Sequence, residues 1–158
     1  MTLTQKESSL IKELKGQEKL CIDKYNKHAA CAKDPQLKTL FTQLAQKEQE
    51  HLNTLTQIEN GTIPQMPACG EKNKNNCQNG NCFTATYSIA GNLDKENDCF
   101  LCTDLLSTEK GASRLYDTCI FEFRDSAIRD VLNHIQKEEQ EHGKKIYDYM
   151  AVNAMYAA

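Results

Sequence analysis

Apolar residues recur along this chain at steps of three and four, the period of a helix that buries one face. Four such stripes can be read. The first runs Ile11, Leu14, Glu18, Cys21, Tyr25, His28, Ala32, and the second Leu37, Phe41, Leu44, Glu48, His51, Leu55, Ile58. The third runs Cys102, Leu105, Glu109, Ala112, Tyr116, Cys119, Phe123, and the fourth Ile128, Leu132, Ile135, Glu139, His142, Ile146, Tyr149. Strand-like alternation is absent, so the pattern predicts an all-α fold of four helices. Each stripe is broken near its middle by glutamate or by glutamate and histidine.

Start and stop signals bracket these stripes. Thr4 with Glu7 can form a capping box, Asp34-Pro35 offers an N-cap followed by proline at the first helical position, Asn60-Gly61 marks a stop, and Asp125-Ser126 repeats the start signal. Very few residues separate stripes one and two, or three and four, so each pair predicts an antiparallel hairpin. The expected hairpins cover about 4–60 and 98–152 of one domain spanning 1–158. Between them, 61–97 is rich in Gly and Asn with little periodicity, and reads as a long loop. It is long enough to return along a bundle of helices of ~38 Å. That connectivity is the ferritin-like four-helix arrangement.

The two hairpins are copies of one unit. Glu48-Gln49-Glu50-His51 recurs as Glu139-Gln140-Glu141-His142, and Glu18 and Glu109 each precede their motif by 30 residues. Asp34 matches Asp125, Tyr25 matches Tyr116 and Leu37 matches Ile128 in the same register of 91 residues. Such self-similarity specifies two similar supersecondary units.

Four glutamates on buried faces need countercharge, because an unpaired buried carboxylate costs several kcal/mol, as an order of magnitude. Two divalent cations would balance them. Glu and His at i and i+3 share a helix face, so each motif can offer a carboxylate oxygen and an imidazole nitrogen to one metal. Glu18, Glu48, His51, Glu109, Glu139 and His142 are therefore the expected ligands of a dinuclear iron or manganese site, iron favoured. For a single Glu-x-x-His the competing reading is a solvated helix face; the repetition with matched partner glutamates argues for metal. Tyr25 and Tyr116, two turns beyond Glu18 and Glu109, either pack in the core or serve the site as hydrogen-bond or electron donors. Glu50 and Glu141 point off the stripe and read as surface or supporting charges, and His28 lies too far along its helix to join the set.

Composition narrows the partners. A net charge of -3 and a pI near 5.8 leave no basic stripe for nucleic acid. No run of 18 apolar residues predicts a membrane span, and Met1 to Leu10 lacks the pattern of a secretion signal, so synthesis in the cytoplasm is expected. Of eight cysteines, Cys69, Cys77, Cys82, Cys99 and Cys102 fall in or beside the central loop. They can be free thiols, a dithiol, a thiolate metal site or later cross-links. Cys99-Phe100-Leu101-Cys102 is expected to open the third helix, where free N–H groups favour thiolate. Cys21, Cys31 and Cys119 are expected as core fillers.

The stretch from Phe100 to Lys110, with Tyr116, Ile128-Arg129 and the tail Ile146 to Tyr156, resembles the coat F family of spore coat proteins, particularly its clostridial ferritin-like forms. Leu20 to Tyr25 and Lys47 to Leu52 fit the same group. The resemblance implies a ferritin-like bundle, a place in the spore coat, other coat proteins as partners and a homo-oligomer. The two ligand sets also resemble those of rubrerythrins, which implies redox chemistry on peroxide or oxygen. Rubrerythrins commonly bear a rubredoxin-like module, whereas here Asn153 to Ala158 follow the last stripe, so that chemistry implies an external electron donor or a role for the loop thiols. The alternative is a structural coat component, in which metal stabilises the bundle and loop cysteines cross-link chains.

Overall fold

A computed structural model describes residues 2–65 and 82–156. It contains α1 (Gln5–Cys31), α2 (Pro35–Glu59), α3 (Leu93–Glu122) and α4 (Ser126–Val152), and no strand among the described residues. The chain forms an all-α four-helix bundle.

Local signals set the helix starts. Thr4 and Glu7 form the reciprocal capping box at α1. Asp34 caps α2 by accepting from the Gln36 N–H at 2.8 Å, and Asp125 caps α4 identically through Ala127 N–H at 2.8 Å. Asn60 ends α2, with Gly61 at φ 83, a left-handed conformation glycine adopts without steric cost. The third helix departs from expectation. It starts at Leu93 rather than near 98, because the Asn92 side chain accepts from Lys95 N–H at 2.8 Å and provides a cap that apolar periodicity does not reveal.

Helix directions follow from the cross-helix contacts. Lys6 meets Glu122, Tyr25 meets Glu109 and Asn97 meets the Cys31 carbonyl, so α1 and α3 run antiparallel. Tyr149 donates to Asp34 and His142 meets Glu48, so α2 and α4 also run antiparallel. With both hairpins antiparallel, α2 and α3 must be parallel, and the chain between them has to cover the bundle's length. The end of that connection is pinned: Tyr87 donates to Asp98 at 2.7 Å, while Asn153 Oδ1 accepts from the Thr86 and Tyr87 N–H groups at 2.8 and 3.1 Å. Asp98, fully buried, also accepts from the Lys33 and Asp34 N–H groups and so ties the α1–α2 turn to α3.

The core falls into two apolar clusters. Tyr25, Leu37, Phe41, Leu44, Leu105, Ile146 and Tyr149 pack in one. Ile11, Leu14, Leu55, Ile58, Leu132 and Ile135 pack in the other. Each fully buried aliphatic side chain contributes roughly 1.5–3 kcal/mol, and the two clusters enclose the level at which the stripes turn polar. Among the described residues no helix is long and apolar enough to cross a membrane.

Glu7 joins the hairpins at the far end. It accepts from Thr4 N–H at 2.7 Å and Arg124 N–H at 3.1 Å. Burial acts to raise its pKa, but the bonds from Thr4 and Arg124 outweigh it and hold the carboxyl down at about 2, against 4.5 ordinarily. A depressed carboxyl contributes stability above its unfolded pKa and loses it as pH falls through the folded one. Glu7→Gln should therefore lower unfolding free energy at pH 7 by about 1–2 kcal/mol. The gap to wild type in denaturant titrations should close as pH falls from 4.5 towards 2.

Candidate metal centre

The polar layer between the clusters assembles all six repeated residues from four helices. α1 brings Glu18, α2 Glu48 and His51, α3 Glu109, and α4 Glu139 and His142, and every one is 2% exposed or less. They form two overlapping sets whose donor atoms lie within 4.8 Å of one another: Glu18, Glu48, His51 and Glu139, and Glu48, Glu109, Glu139 and His142. Glu48 and Glu139 belong to both sets. Each motif glutamate is thus shared, whereas Glu18 and Glu109 each belong to one side.

The atoms follow that division. Glu48 sets Oε1 2.8 Å from His142 Nδ1 and Oε2 3.1 Å from His51 Nδ1. Glu139 sets Oε1 3.0 Å from His51 Nδ1, off the hydrogen-bonding direction, and Oε2 3.8 Å from His142 Nδ1. Both carboxylates point one oxygen to each side, as a bridging ligand does. The imidazoles stack with centroids 5.5 Å apart, and both turn Nδ1 inward.

The tyrosines exchange partners between the copies. Tyr25 of the first hairpin donates to Glu109 Oε1 of the second, and Tyr116 of the second donates to Glu18 Oε1 of the first. Both phenols are fully buried, and burial followed by the neighbouring carboxylates pushes their pKa values up, so they stay protonated donors. Each fixes one oxygen of an unshared glutamate; Glu18 sets its other oxygen 3.8 Å from His51 Nδ1, whereas in Glu109 the tyrosine-bound Oε1 is itself 3.7 Å from His142 Nδ1.

Electrostatically the layer is incomplete. Glu18 Oε2, Glu109 Oε2 and both oxygens of Glu139 are buried without a hydrogen-bond partner among the described residues. Buried polar atoms are nearly always paired, so four unpaired oxygens at one level fit a group that could hold a cation. Burial pushes the Glu18 carboxyl up to about 7 and Glu139 well above its usual range. Burial opposes ionisation of Glu48 too, yet hydrogen bonds from His142 and His51 win and hold it down. Burial likewise disfavours charged imidazole, but the surrounding carboxylates raise His51 and bring His142 up to about 9. The donor set, carboxylate oxygen and imidazole nitrogen, suits iron, manganese or zinc. The residues could hold a metal ion.

Glu138 went unread in the sequence. Its Oε2 accepts from His51 Nε2 at 2.9 Å, with His134 Nε2 at 3.6 Å behind it. A carboxylate on the outer nitrogen fixes ring orientation and leaves Nδ1 for a metal. The signal was the one mismatch in the repeated pentapeptide, where Lys47 stands opposite Glu138; Lys47 instead pairs with exposed Glu50. Glu141 is exposed, and His28 contacts Asp104 at 2.8 Å.

The cysteines differ from expectation. Cys99 and Cys102 lie on the second and third turns of α3, beyond the first four residues whose N–H groups are free. Cys102 is fully buried, and burial raises its thiol pKa, opposite to activation. Cys21 and Cys119 fill the core, but Cys31 is exposed. Cys82 is exposed, and no cysteine joins the two ligand sets among the described residues. Cys69 and Cys77 lie outside the described residues.

Because Tyr116 is the only hydrogen-bond donor to Glu18 among the described residues, Tyr116→Phe leaves that carboxyl with no hydrogen bond from them. In chelator-treated protein this substitution, and equally Tyr25→Phe, should cost about 1–3 kcal/mol in guanidinium unfolding. Unchanged stability in both would mean that the phenol–carboxylate contacts are not formed.

Residues 97–158 match the family model of the Coat F domain, while no curated protein and no solved structure matches the chain. The matched segment runs from the second turn of α3 through α4 and contains Glu109, Tyr116, Glu138, Glu139 and His142. Glu18, Tyr25, Glu48 and His51 come from the hairpin outside it and reach the site through the internal repeat. The similarity to the Coat F domain is thus to this C-terminal part of the chain.

Proposed function

We propose that this protein is a spore-coat-associated, ferritin-like protein with a dinuclear iron or manganese centre, iron favoured, that reduces peroxide or oxygen. The observation that carries this reading is the pair of overlapping ligand sets sharing Glu48 and Glu139. One metal would be held by Glu18 and His51, the other by Glu109 and His142, with Glu48 and Glu139 between them. Two adjacent redox-active ions supply together the two electrons that cleavage of an O–O bond requires.

The protein's own residues have three tasks. Glu138 holds the His51 ring so that its inner nitrogen faces the site. Tyr25 and Tyr116 hold one oxygen each of Glu109 and Glu18, leaving the second oxygen free to change its contacts as charge in the layer changes. The apolar clusters on either side keep bulk water from the carboxylates, which strengthens every interaction among them. Electrons come from an external donor.

Metal analysis by mass spectrometry on anaerobically purified protein, with thiols blocked, should find about two iron or manganese ions per chain. Glu48→Gln with Glu139→Gln should lose both with helicity retained, and reductant-dependent peroxide consumption should fall at least a hundredfold, an order of magnitude expected for ligand loss. Unchanged metal content would overturn the ligand assignment.

A second reading, a structural coat component joined through thiols, is favoured by the exposure of Cys31 and Cys82. Under mild oxidation wild-type protein would then form multimers on a non-reducing gel, and Cys31→Ser with Cys82→Ser would diminish them. Multimers equally abundant in both proteins would rule out these two thiols.

A further inference from the structure

The two hairpins share the centre's chemistry but not its covering. Where the first carries Ile22 and Leu52, the second carries Ser113 and Gly143 in the same register. The small residues open a groove of about 550 Å³ between α3 and α4, floored by Glu109 and Glu139 and walled by Leu106, Ser113 and Gly143. A Cβ on Gly143 would already meet Leu106 Cδ1 at 3.4 Å. At the mouth stand Lys110, Arg114 and Lys144, with Tyr147 and Tyr156 edge to face at 5.1 Å. Arg114 replaces Asp23 and Lys144 replaces Asn53 of the first hairpin. Lys144 is held by Asp148, 2.6 Å away, while Lys110 and Arg114 have no carboxylate partner among the described residues.

Peroxide and oxygen need far less room: a water takes about 30 Å³, whereas pockets for organic ligands run to roughly 300–1,000 Å³. From the opening beside Gly143, the cationic rim and the half-exposed tyrosine pair, we propose that this groove binds a small planar organic anion. Its charged group lies at Lys110 and Arg114, its flat body lies against Tyr147, Tyr156 and Leu106, and its inner edge faces Glu109 and Glu139. The identity of the floor as a metal centre rests on the function proposed above; the groove itself does not.

Anilinonaphthalene sulfonate, a planar aromatic sulfonate, serves as the probe on the full chain. It should bind wild-type protein at one site per chain. Gly143→Leu, which installs the residue of the other hairpin, and Arg114→Asp, which installs its charge, should each weaken binding at least tenfold. Phe121→Ser, which removes an exposed apolar side chain outside the groove, should leave binding unchanged. Circular dichroism checks that each variant folds, and Arg114→Asp is a surface change that keeps the test open if Gly143→Leu does not fold. Absence of wild-type binding, or affinity within twofold of wild type in a folded variant of either groove residue, overturns the proposal. A metal count on the same samples separates the two readings. Groove binding without metal leaves this site standing and removes the centre; two metals without groove binding do the reverse.

Discussion

Four glutamates at one level of a bundle core are the constraint to which the rest of the structure answers. At the low dielectric of an interior, unpaired carboxylates would repel one another and lose their hydration, a penalty of several kcal/mol per ion as an order of magnitude. The helices hold them there by burying long apolar stripes above and below, and the two tyrosines and two histidines address some of the oxygens. The four oxygens left without partners define what the protein itself does not provide.

Duplication explains how such a layer is built economically. One helical hairpin carrying Glu, Tyr and Glu-x-x-His supplies half of a site, and antiparallel pairing of α1 with α3 and of α2 with α4 brings two halves face to face. The exchange of tyrosines between copies follows from that approximate twofold relation. Each phenol completes the opposite hairpin, so neither half is satisfied alone. The Coat F match covers the second half, and the first half joins it through the shared layer.

Departures from the repeat carry as much information as the repeat. Glu138 opposite Lys47 gives His51 an outer carboxylate that His142 lacks among the described residues. Gly143 and Ser113 opposite Leu52 and Ile22 open a groove onto the layer beside the second hairpin. The six repeated positions are symmetric, while the contacts of the two imidazoles are not.

The all-α class, the hairpins, the four stripes and the six clustered residues were legible in the sequence because helix periodicity is local: residues three and four apart must share a face whatever the helix packs against. The start of α3 was misplaced because Asn92 acts through its own side chain and leaves no periodic trace. Cys99 was misjudged for the same reason, since its place in a helix depends on where that helix begins. Which oxygen meets which nitrogen, the swap of Tyr25 and Tyr116, the role of Glu138 and the groove at Gly143 were decided only by tertiary structure. These are relations between residues about 30 to 100 positions apart, and separation along the chain does not determine how helix faces meet. The sequence by itself determined that two equivalent sets of polar residues would be buried; the packing of one hairpin on the other decided how they join.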